Sequence, residues 1–280
     1  MSDALRLASV NVNGIRAAVR NGMHGWLAES GVDVLTLQEV RATAADLAVA
    51  LPDWHIENDE SHAKGRSGVA IASRVAPVEV RRGLGDETVD SAGRWIEADF
   101  DIDGQTLCVV SAYVHSGEAE TPKQDAKWLF LDAMGERLAA LAIERPLAVV
   151  TGDLNVGHRE LDIRNWKGNV KRAGFLPRER GYFDRFLGSA GAEVTGVDGS
   201  VGTGLGWVDI GRQHAGEVPG PYTWWSQRGK AFDTDTGWRI DYHLTTPGLA
   251  SLASGYHVVR AEAYDQRWSD HAPVVVDYTL

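Results

Sequence analysis

Short apolar runs recur along the chain and read as buried strands: Leu5 to Val10, Val32 to Leu37, Gly68 to Ala72, Leu107 to Tyr113, Leu147 to Thr151 and Pro273 to Val276. The segment Ile96 to Ile102 alternates instead, with Ile96, Ala98, Phe100 and Ile102 on one face. Asp103-Gly104 between it and Leu107 is a two-residue hairpin signal, because both residues tolerate positive φ. Helical spacing predicts helices over Ile15 to Glu29, with Ile15, Val19, Met23, Trp26 and Leu27 on one side, and over Asp125 to Ala142, with Leu129, Met134, Leu138 and Leu141. Glu179 to Leu187 reads as a short helix, and the Gly-rich stretch Gly196 to Gly211 as a surface loop. Hairpins mixed with βα crossovers predict a layered α/β sandwich with mixed sheets rather than a parallel barrel.

Length and composition allow one compact α/β domain or two small ones, and a single domain over residues 1–280 is the expectation, with no tandem repeat. The longest apolar stretches fall far short of the ~20 residues that span a bilayer, so no membrane association is expected. Met1, Ser2 and Asp3 lack a basic start followed by an apolar segment, so no signal peptide is expected. Cys108 is the only cysteine, which excludes an internal disulfide and a cysteine-built zinc site and fits a cytoplasmic protein, nucleoid-associated if bacterial. The net charge of −11 argues against coating nucleic acid by bulk electrostatics but leaves room for a local basic face. One exists: Arg159, Arg164, Lys167, Lys171, Arg172, Arg178 and Arg180 face only Glu160, Asp162 and Glu179 within one stretch. Ten tryptophans are an unusual supply of flat rings that stack on sugars or bases.

The candidate chemistry sits where apolar strands end. Asn11 and Asn13 follow the first strand, Gln38 and Glu39 the second, and Tyr113 and His115 the run from Leu107. Asp153 and Asn155 follow Leu147 to Thr151, Asp241 lies between Ile240 and Tyr242, and Ser269, Asp270 and His271 precede the last strand. Strand ends on one sheet edge converge on one cleft. Singly, each has a structural explanation as a turn, a cap or a solvated end. Together they form the inventory of a metal-assisted hydrolase. Carboxylate and amide oxygens favour Mg²⁺ or Mn²⁺ over zinc, and a cation with few protein ligands borrows oxygens from a phosphate. A Ser-His-Asp hydrolase is rejected: Ser269, Asp270 and His271 are adjacent and cannot face one another, and no Gly-x-Ser-x-Gly elbow exists. Nor is there a phosphate loop ending in Gly-Lys-Ser/Thr.

These residues carry a resemblance to the exonuclease III family of apurinic/apyrimidinic endonucleases, in the DNase I-like endonuclease/exonuclease/phosphatase superfamily. The matching elements run in order along nearly the whole chain: Asn11-Val12-Asn13-Gly14-Ile15-Arg16, Leu37-Gln38-Glu39, Gly68-Val69-Ala70-Ile71, Tyr113-Val114 and Gly152-Asp153-Leu154-Asn155, then Gly174-Phe175 through Glu179-Arg180, Tyr222-Thr223-Trp224-Trp225, Trp238-Arg239-Ile240-Asp241-Tyr242 and Ser269-Asp270-His271-Ala272-Pro273.

The resemblance implies a four-layered α/β sandwich, two central mixed β-sheets flanked by helices. It implies a Mg²⁺-dependent enzyme, with Mn²⁺ as substitute, that cuts duplex DNA 5′ to abasic sites to leave a 3′-hydroxyl in base excision repair. Exonuclease action from the 3′ end and cleaning of blocked 3′ ends accompany it, and a monomer is expected. By motif match, Glu39 is the main metal ligand with Asn11 and Asp270 near it, and the ligand set extends to Asp153, Asn155 and His271. Asp153 activates the attacking water, Asn155 holds it or the phosphate, Asp241 orients His271 on a phosphate oxygen, and Tyr113 lies against the scissile phosphate. Trp224, Trp225 and Trp238 stand where the family builds the pocket for the base-less sugar, with one of the three expected to pack beneath it and Trp224 and Trp238 as the substrate contacts; Arg180, Lys167, Lys171 and Arg172 contact DNA phosphates. The alternative is a metal-dependent phosphatase or phosphodiesterase of the same superfamily acting on a non-DNA phosphoester, which needs neither the tryptophans nor the basic loops. Departures from the family pattern are Arg41 for a common Lys, His115 for a common Pro, and the stretch Gly196 to Gly216, which matches no family motif. They bear on the balance of endonuclease and exonuclease action.

Overall fold

The computed structural model describes residues 4–280, so Met1, Ser2 and Asp3, read above for a leader, lie outside the described residues. In chain order the strands are β1 (Ala4–Asn11), β2 (Val34–Gln38), β3 (His55–Asp59), β4 (Val69–Ser73), β5 (Glu79–Arg82), β6 (Trp95–Ile102) and β7 (Gln105–Tyr113). They continue as β8 (Leu147–Asp153), β9 (Glu193–Thr195), β10 (Val201–Thr203), β11 (Val208–Asp209), β12 (Asp241–Thr245), β13 (Ala253–Val258) and β14 (Val274–Thr279). Two six-stranded sheets result, ordered β13-β14-β1-β2-β4-β3 and β11-β12-β8-β7-β6-β5, with β9 and β10 as a separate hairpin. Both are mixed: β1 with β2 and β7 with β8 are parallel, the other pairs antiparallel.

Helices close both outer faces. Ile15–Arg20, Met23–Ser30 and Ala44–Ala50 bury Ile15, Ala18, Met23, Leu27 and Leu47 against Ala8, Val10, Leu35 and Leu37 of the first sheet. On the other side Pro122–Glu144 and Pro177–Leu187 bury Phe130, Leu131, Met134, Leu138, Phe183 and Phe186 against Cys108, Val110, Ala148 and Val150. Each fully buried side chain of this size is worth roughly 1.5–3 kcal/mol of transfer free energy. The expected four layers are therefore present. No helix of the described residues is long and apolar enough to cross a membrane.

Several local expectations are corrected. The single helix over Ile15 to Glu29 is two, broken at Gly22 with φ 113°, a conformation that no side-chain-bearing residue would hold cheaply. Leu129, assigned to the apolar side of its helix, is 54% exposed, and its neighbours Phe130 and Leu131 take the core positions. The stretch Gly196 to Gly211 is not a plain loop: it holds β10, β11 and the start of the helix Ile210–Ala215. The Asp103-Gly104 turn is as expected, with φ 49° and 84° joining Ile102 to Gln105.

The space between the sheets changes character along the strands. Leu5, Leu7, Val34, Leu107, Val109 and Val149 fill one end with hydrocarbon. Towards the other end the same faces carry hydroxyls and amides, which bond across the gap: Thr36 Oγ1 to Thr151 Oγ1 at 2.7 Å and Gln38 Nε2 to Ser111 Oγ at 3.0 Å. One residue pair further, the faces carry Asn11, Tyr113, Asp153 and Asp241. These cross-sheet bonds tie the two sheets at the end where the polar groups open to solvent.

Candidate active site

A cleft of about 450 Å³ opens at that end, lined by Glu39, Arg41, Tyr113, Asp153, Asn155, Trp224, Trp238, Asp270 and His271, with Ser116, Gly117, Ala173, Gly174 and Ile240 at its sides. Chain bends just past the strands aim these side chains. Asn13, Glu39, Arg41 and Asn155 all hold left-handed backbone, with φ 47°, 48°, 51° and 50°. Such conformations cost on the order of 1–3 kcal/mol each in non-glycine residues and persist where surrounding structure enforces them. Here it does: Gly14 donates its N–H to the Glu39 carbonyl at 2.8 Å, and Val40 and Arg41 bond to the Gly68 and Ser67 carbonyls.

The Asn11 amide is the hinge between the sheets. Its Nδ2 donates to Glu39 Oε1 at 2.9 Å and to Asp153 Oδ2 at 2.8 Å, while its Oδ1 accepts from the Asn13 N–H. Asn13 Nδ2 in turn donates to Asp270 Oδ1 at 3.0 Å, and Trp224 Nε1 donates to Asp270 Oδ2 at 3.1 Å. Asn155 binds Asp153 twice, through its backbone N–H and its Nδ2, both at 3.0 Å. Arg41 pairs with Glu39 on the solvent side. Asp241, wholly buried, accepts from Thr223 Oγ1 at 2.6 Å and from His271 Nδ1 at 2.9 Å. The other imidazole nitrogen, Nε2, lies 3.8 Å from Asp153 Oδ2 and faces the cleft.

Charge states follow from these contacts. Burial alone would neutralise His271, but the Asp241 and Asp153 carboxylates outweigh it and hold the imidazolium up to about 10. Burial pushes Asp153 up to about 7, opposed by His271 and by the Asn11 hydrogen bond and assisted by the Asp241 and Glu39 charges. Burial would also raise Asp270, yet His271 and the bonds from Trp224 and Asn13 hold it below its usual range. The Tyr113 phenol is raised by burial and by the charges of Glu39 and Asp153, so it is neutral and a donor. The Arg94 guanidinium stacks 4.5 Å from that ring and donates to the Tyr113 carbonyl.

Two indoles build the apolar wall. Trp224 and Trp238 pair through their backbones and meet edge to face, with centroids 6.1 Å apart. Gly174, φ 92°, lets the chain run against Trp238: a Cβ there would come within 2.8 Å of the indole. A regular strand from Trp238 to Tyr242 would turn Trp238 and Asp241 to opposite faces. The structure resolves this, since β12 begins only at Asp241 and Trp238 bridges instead to Trp224 and Ile163. Trp225 lies in a separate core with Phe232 and Ala272, away from the cleft.

Among the expected DNA contacts, Lys167, Lys171 and Arg172 are exposed and form no ion pair among the described residues. Arg180 is turned inward: it donates to the His158 carbonyl, pairs with Glu160 at 2.9 Å, and does not line the cleft. Two residues that support the site went unnoticed in the sequence. Thr223 was visible only as part of the Tyr-Thr-Trp-Trp element. Lys127, wholly buried on the helix Pro122–Glu144, had no local signal.

The donor set suits a hard cation. Glu39, Asp153 and Asp270 line the cleft with Asp241 behind, against Arg41 and His271 as the cations of its wall. Asp153, Asp241 and His271 bring ligand-type atoms within 4.8 Å of one another, but the His271 imidazolium, bonded to Asp241 through Nδ1, is a donor, which leaves the expected metal role to the oxygens and not to this ring. Oxygen-rich, open and short of protein ligands, this is a setting for a divalent ion that keeps water or takes up phosphate oxygens.

Known proteins are similar to this chain along its length. The model of the Endonuclease/Exonuclease/phosphatase family matches residues 8–271. An exodeoxyribonuclease of Bacillus subtilis is 31% identical, the match covering 96% of this chain and 98% of the relative. The DNA repair nuclease APEX1 of Danio rerio is 30% identical over 97% of this chain and 81% of its own. Among solved structures, a 3′-5′ exonuclease (NExo) from Neisseria meningitidis superposes with TM-score 0.81 at 28% identity, over 98% of this chain and 99% of that one. An AP endonuclease from Archaeoglobus fulgidus gives 0.79 at 26%, over 99% and 100%. The cleft thus occupies a fold shared along its whole length with nucleases, and the chain belongs to the Endonuclease/Exonuclease/phosphatase family.

Proposed function

We propose that this chain is a Mg²⁺-dependent DNA-repair nuclease that hydrolyses the phosphodiester 5′ to an abasic site in duplex DNA, with 3′-end exonuclease and cleaning activities. The observation that carries the reading is one cleft holding both an oxygen-ligand hydrolytic cluster and, against it, the Trp224–Trp238 wall. A phosphatase for small phosphoesters has use for the first but not the second.

Glu39, with Asn11 and Asp270 beside it, would hold the cation, which when bound neutralises charge developing on the phosphate oxygens. His271 Nε2 offers a charged donor to a non-bridging oxygen, and Asp241 keeps its Nδ1 occupied and its orientation fixed. Asp153, raised to about 7, is suited to take a proton from the attacking water. Asn155 Nδ2 keeps Asp153 turned to the cleft, and the neutral Tyr113 hydroxyl can donate to the departing 3′-oxygen. A sugar without its base would dock against the Trp224–Trp238 wall, which an attached base would crowd; extrusion costs least where pairing is already lost. Lys167, Lys171 and Arg172 supply local positive charge for the phosphate backbone. The chain acts as a monomer in the cytoplasm on this reading.

The test is a labelled duplex with one tetrahydrofuran abasic analogue, incubated with Mg²⁺ and with EDTA. Metal-dependent cutting 5′ to the analogue is expected. Hydrolysis of small phosphoesters alone would overturn the reading in favour of the phosphatase.

A further inference from the structure

A buried ion pair lies behind the cleft, outside the reacting groups. Lys127, fully buried, donates from Nζ to the Asn155 carbonyl at 2.8 Å and to the Ser116 carbonyl at 3.4 Å. Its counter-ion is Glu179, also fully buried, at 2.6 Å. Glu179 Oε2 accepts the Leu176 N–H at 2.9 Å, capping the helix Pro177–Leu187, and Oε1 accepts from Gln124 Nε2 at 3.1 Å.

The two carbonyls held by Lys127 belong to the segments that leave two neighbouring parallel strands, β8 and β7, at the cleft. One is that of Asn155, whose left-handed backbone (φ 50°) aims its side chain at Asp153. The other follows Tyr113 by three residues, in the segment where Ser116 and Gly117 line the cleft. Asn155 Nδ2 also donates to the Val114 carbonyl at 3.0 Å, so the two segments are joined in front by Asn155 and behind by Lys127. An apolar residue at position 127 would leave the Asn155 carbonyl without this donor and remove the rear tie.

We infer that Lys127 is a positioning residue for hydrolysis: its ammonium fixes the Asn155 and Ser116 carbonyls, and through them the attitude of Asn155 on Asp153, while Glu179 serves only as its buried counter-ion. The inference rests on the nuclease reading above. Lys127 cannot reach DNA, so it acts on turnover and not on binding. Losing an orienting group behind a catalytic residue typically costs about 10–100-fold in activity.

Stability and turnover separate the two roles. Lys127→Met alone leaves Glu179 as an uncompensated buried charge and should destabilise the protein strongly. Lys127→Met with Glu179→Gln leaves no buried charge, and such replacements are commonly neutral for stability. The double variant should therefore melt near the wild-type temperature and bind duplex within about twofold of wild type. Its single-turnover cleavage rate at saturating DNA should fall by about 10–100-fold. Glu179→Gln alone should do the reverse: the Lys127 nitrogen, as ammonium or amine, still donates to both carbonyls, so stability falls while the rate holds. A double variant that cuts within about twofold of the wild-type rate would overturn the inference, as would a Glu179→Gln variant whose rate falls as far as that of Lys127→Met. Failure of the wild-type chain to cut DNA at all would instead sink the nuclease reading, a result visible before any variant is made.

Discussion

Asp241 and His271 should behave as one catalytic unit, and their double-mutant cycle is the sharpest test of the cleft. Asp241 is fully buried and its carboxylate spans the imidazole Nδ1, at 2.9 and 3.1 Å to its two oxygens, with Thr223 fixing it from behind at 2.6 Å. His271→Ala removes one charge-assisted donor aimed at the phosphate, a loss of about 10²–10³ in kcat, or roughly 2.7–4 kcal/mol. Asp241→Ala leaves the ring in place, but removes the larger of the carboxylate charges that oppose its burial and leaves nothing to hold its Nδ1. The benefit of His271 should vanish almost completely, giving a similar loss. Independent residues would make the double variant about 10⁴–10⁶-fold slower. A unit would leave it within about tenfold of the worse single variant. The assay is single-turnover cleavage of the tetrahydrofuran duplex at saturating Mg²⁺, with melting temperatures to show that each variant is folded. The Thr223 hydroxyl retains backbone contacts at Ile240 and Asp241, so Asp241→Ala is not expected to unfold the chain. A multiplicative double variant would refute the assignment.

Other outcomes follow from single groups. Glu39→Ala should lower turnover by roughly 10²-fold and recover partly at high Mg²⁺ or Mn²⁺; undiminished cleavage at low Mg²⁺ would remove Glu39 from the ligand set. Replacing Lys167, Lys171 and Arg172 with Ala should weaken duplex binding for all sequences and flatten log Kd against log salt by up to about 0.9 for each phosphate no longer neutralised, whereas an unchanged slope would make them a solvated face. Trp238→Ala should lose more abasic-site cutting than 3′ exonuclease activity, by an aromatic interaction worth roughly 1–3 kcal/mol, and equal losses would point to packing alone. Asp162, fully buried on Arg239 and Arg212, has its carboxyl lowered to about 2: burial opposes the shift, and the two guanidinium groups outweigh it. A folded pKa below the unfolded value of about 3.9 gives stability that is complete above it and lost as pH falls towards 2, about 2–3 kcal/mol here. The stability gap between wild type and Asp162→Asn in urea should narrow from pH 5 to pH 2; a constant gap would refute this.

The strand core was legible because a two-residue period and a run of apolar residues state it directly, and the site was legible because each of those runs ends in a polar group. Leu5, Leu7, Ser9 and Asn11 lie on one face of one strand, Val149, Thr151 and Asp153 on one face of another, and the passage from hydrocarbon to hydroxyl to ligand can be read along both. The edge strands β3 and β5 were not legible. Half-exposed segments such as His55–Asp59 and Glu79–Arg82 carry polar residues on most positions, and only the neighbouring strand tells them what to be. Lys127 was illegible for a related reason. A lysine on an amphipathic helix is normally solvated, and its partner Glu179 lies on another helix whose docking no local pattern announces. The count of basic residues from Arg159 to Arg180 likewise could not separate Lys171, which is exposed, from Arg180, which is spent on Glu160 and the His158 carbonyl.

Four of the legible residues have their mutual spacing set by ladders instead of loops. Tyr113 is in register with Asp153, and Asp153 with Asp241, so three residues of the proposed site stand on one rung of the second sheet. Asn11 stands on the rung it shares with Gln38 in the first sheet and reaches across to Asp153. Neighbouring strands are held about 4.8 Å apart by their backbone bonds, which leaves these groups little freedom to drift. A slip of one residue in any of these pairings would turn the whole polar set away from the cleft and its apolar partners out of the core. The hydrophobic core therefore enforces the catalytic register as a by-product of its own burial. The aromatic wall has no such guarantee: Trp224 and Trp238 hang on isolated bridges and on the closeness of Gly174. Changes on the rungs should abolish hydrolysis of every substrate alike, while changes at the wall should alter which DNA is cut.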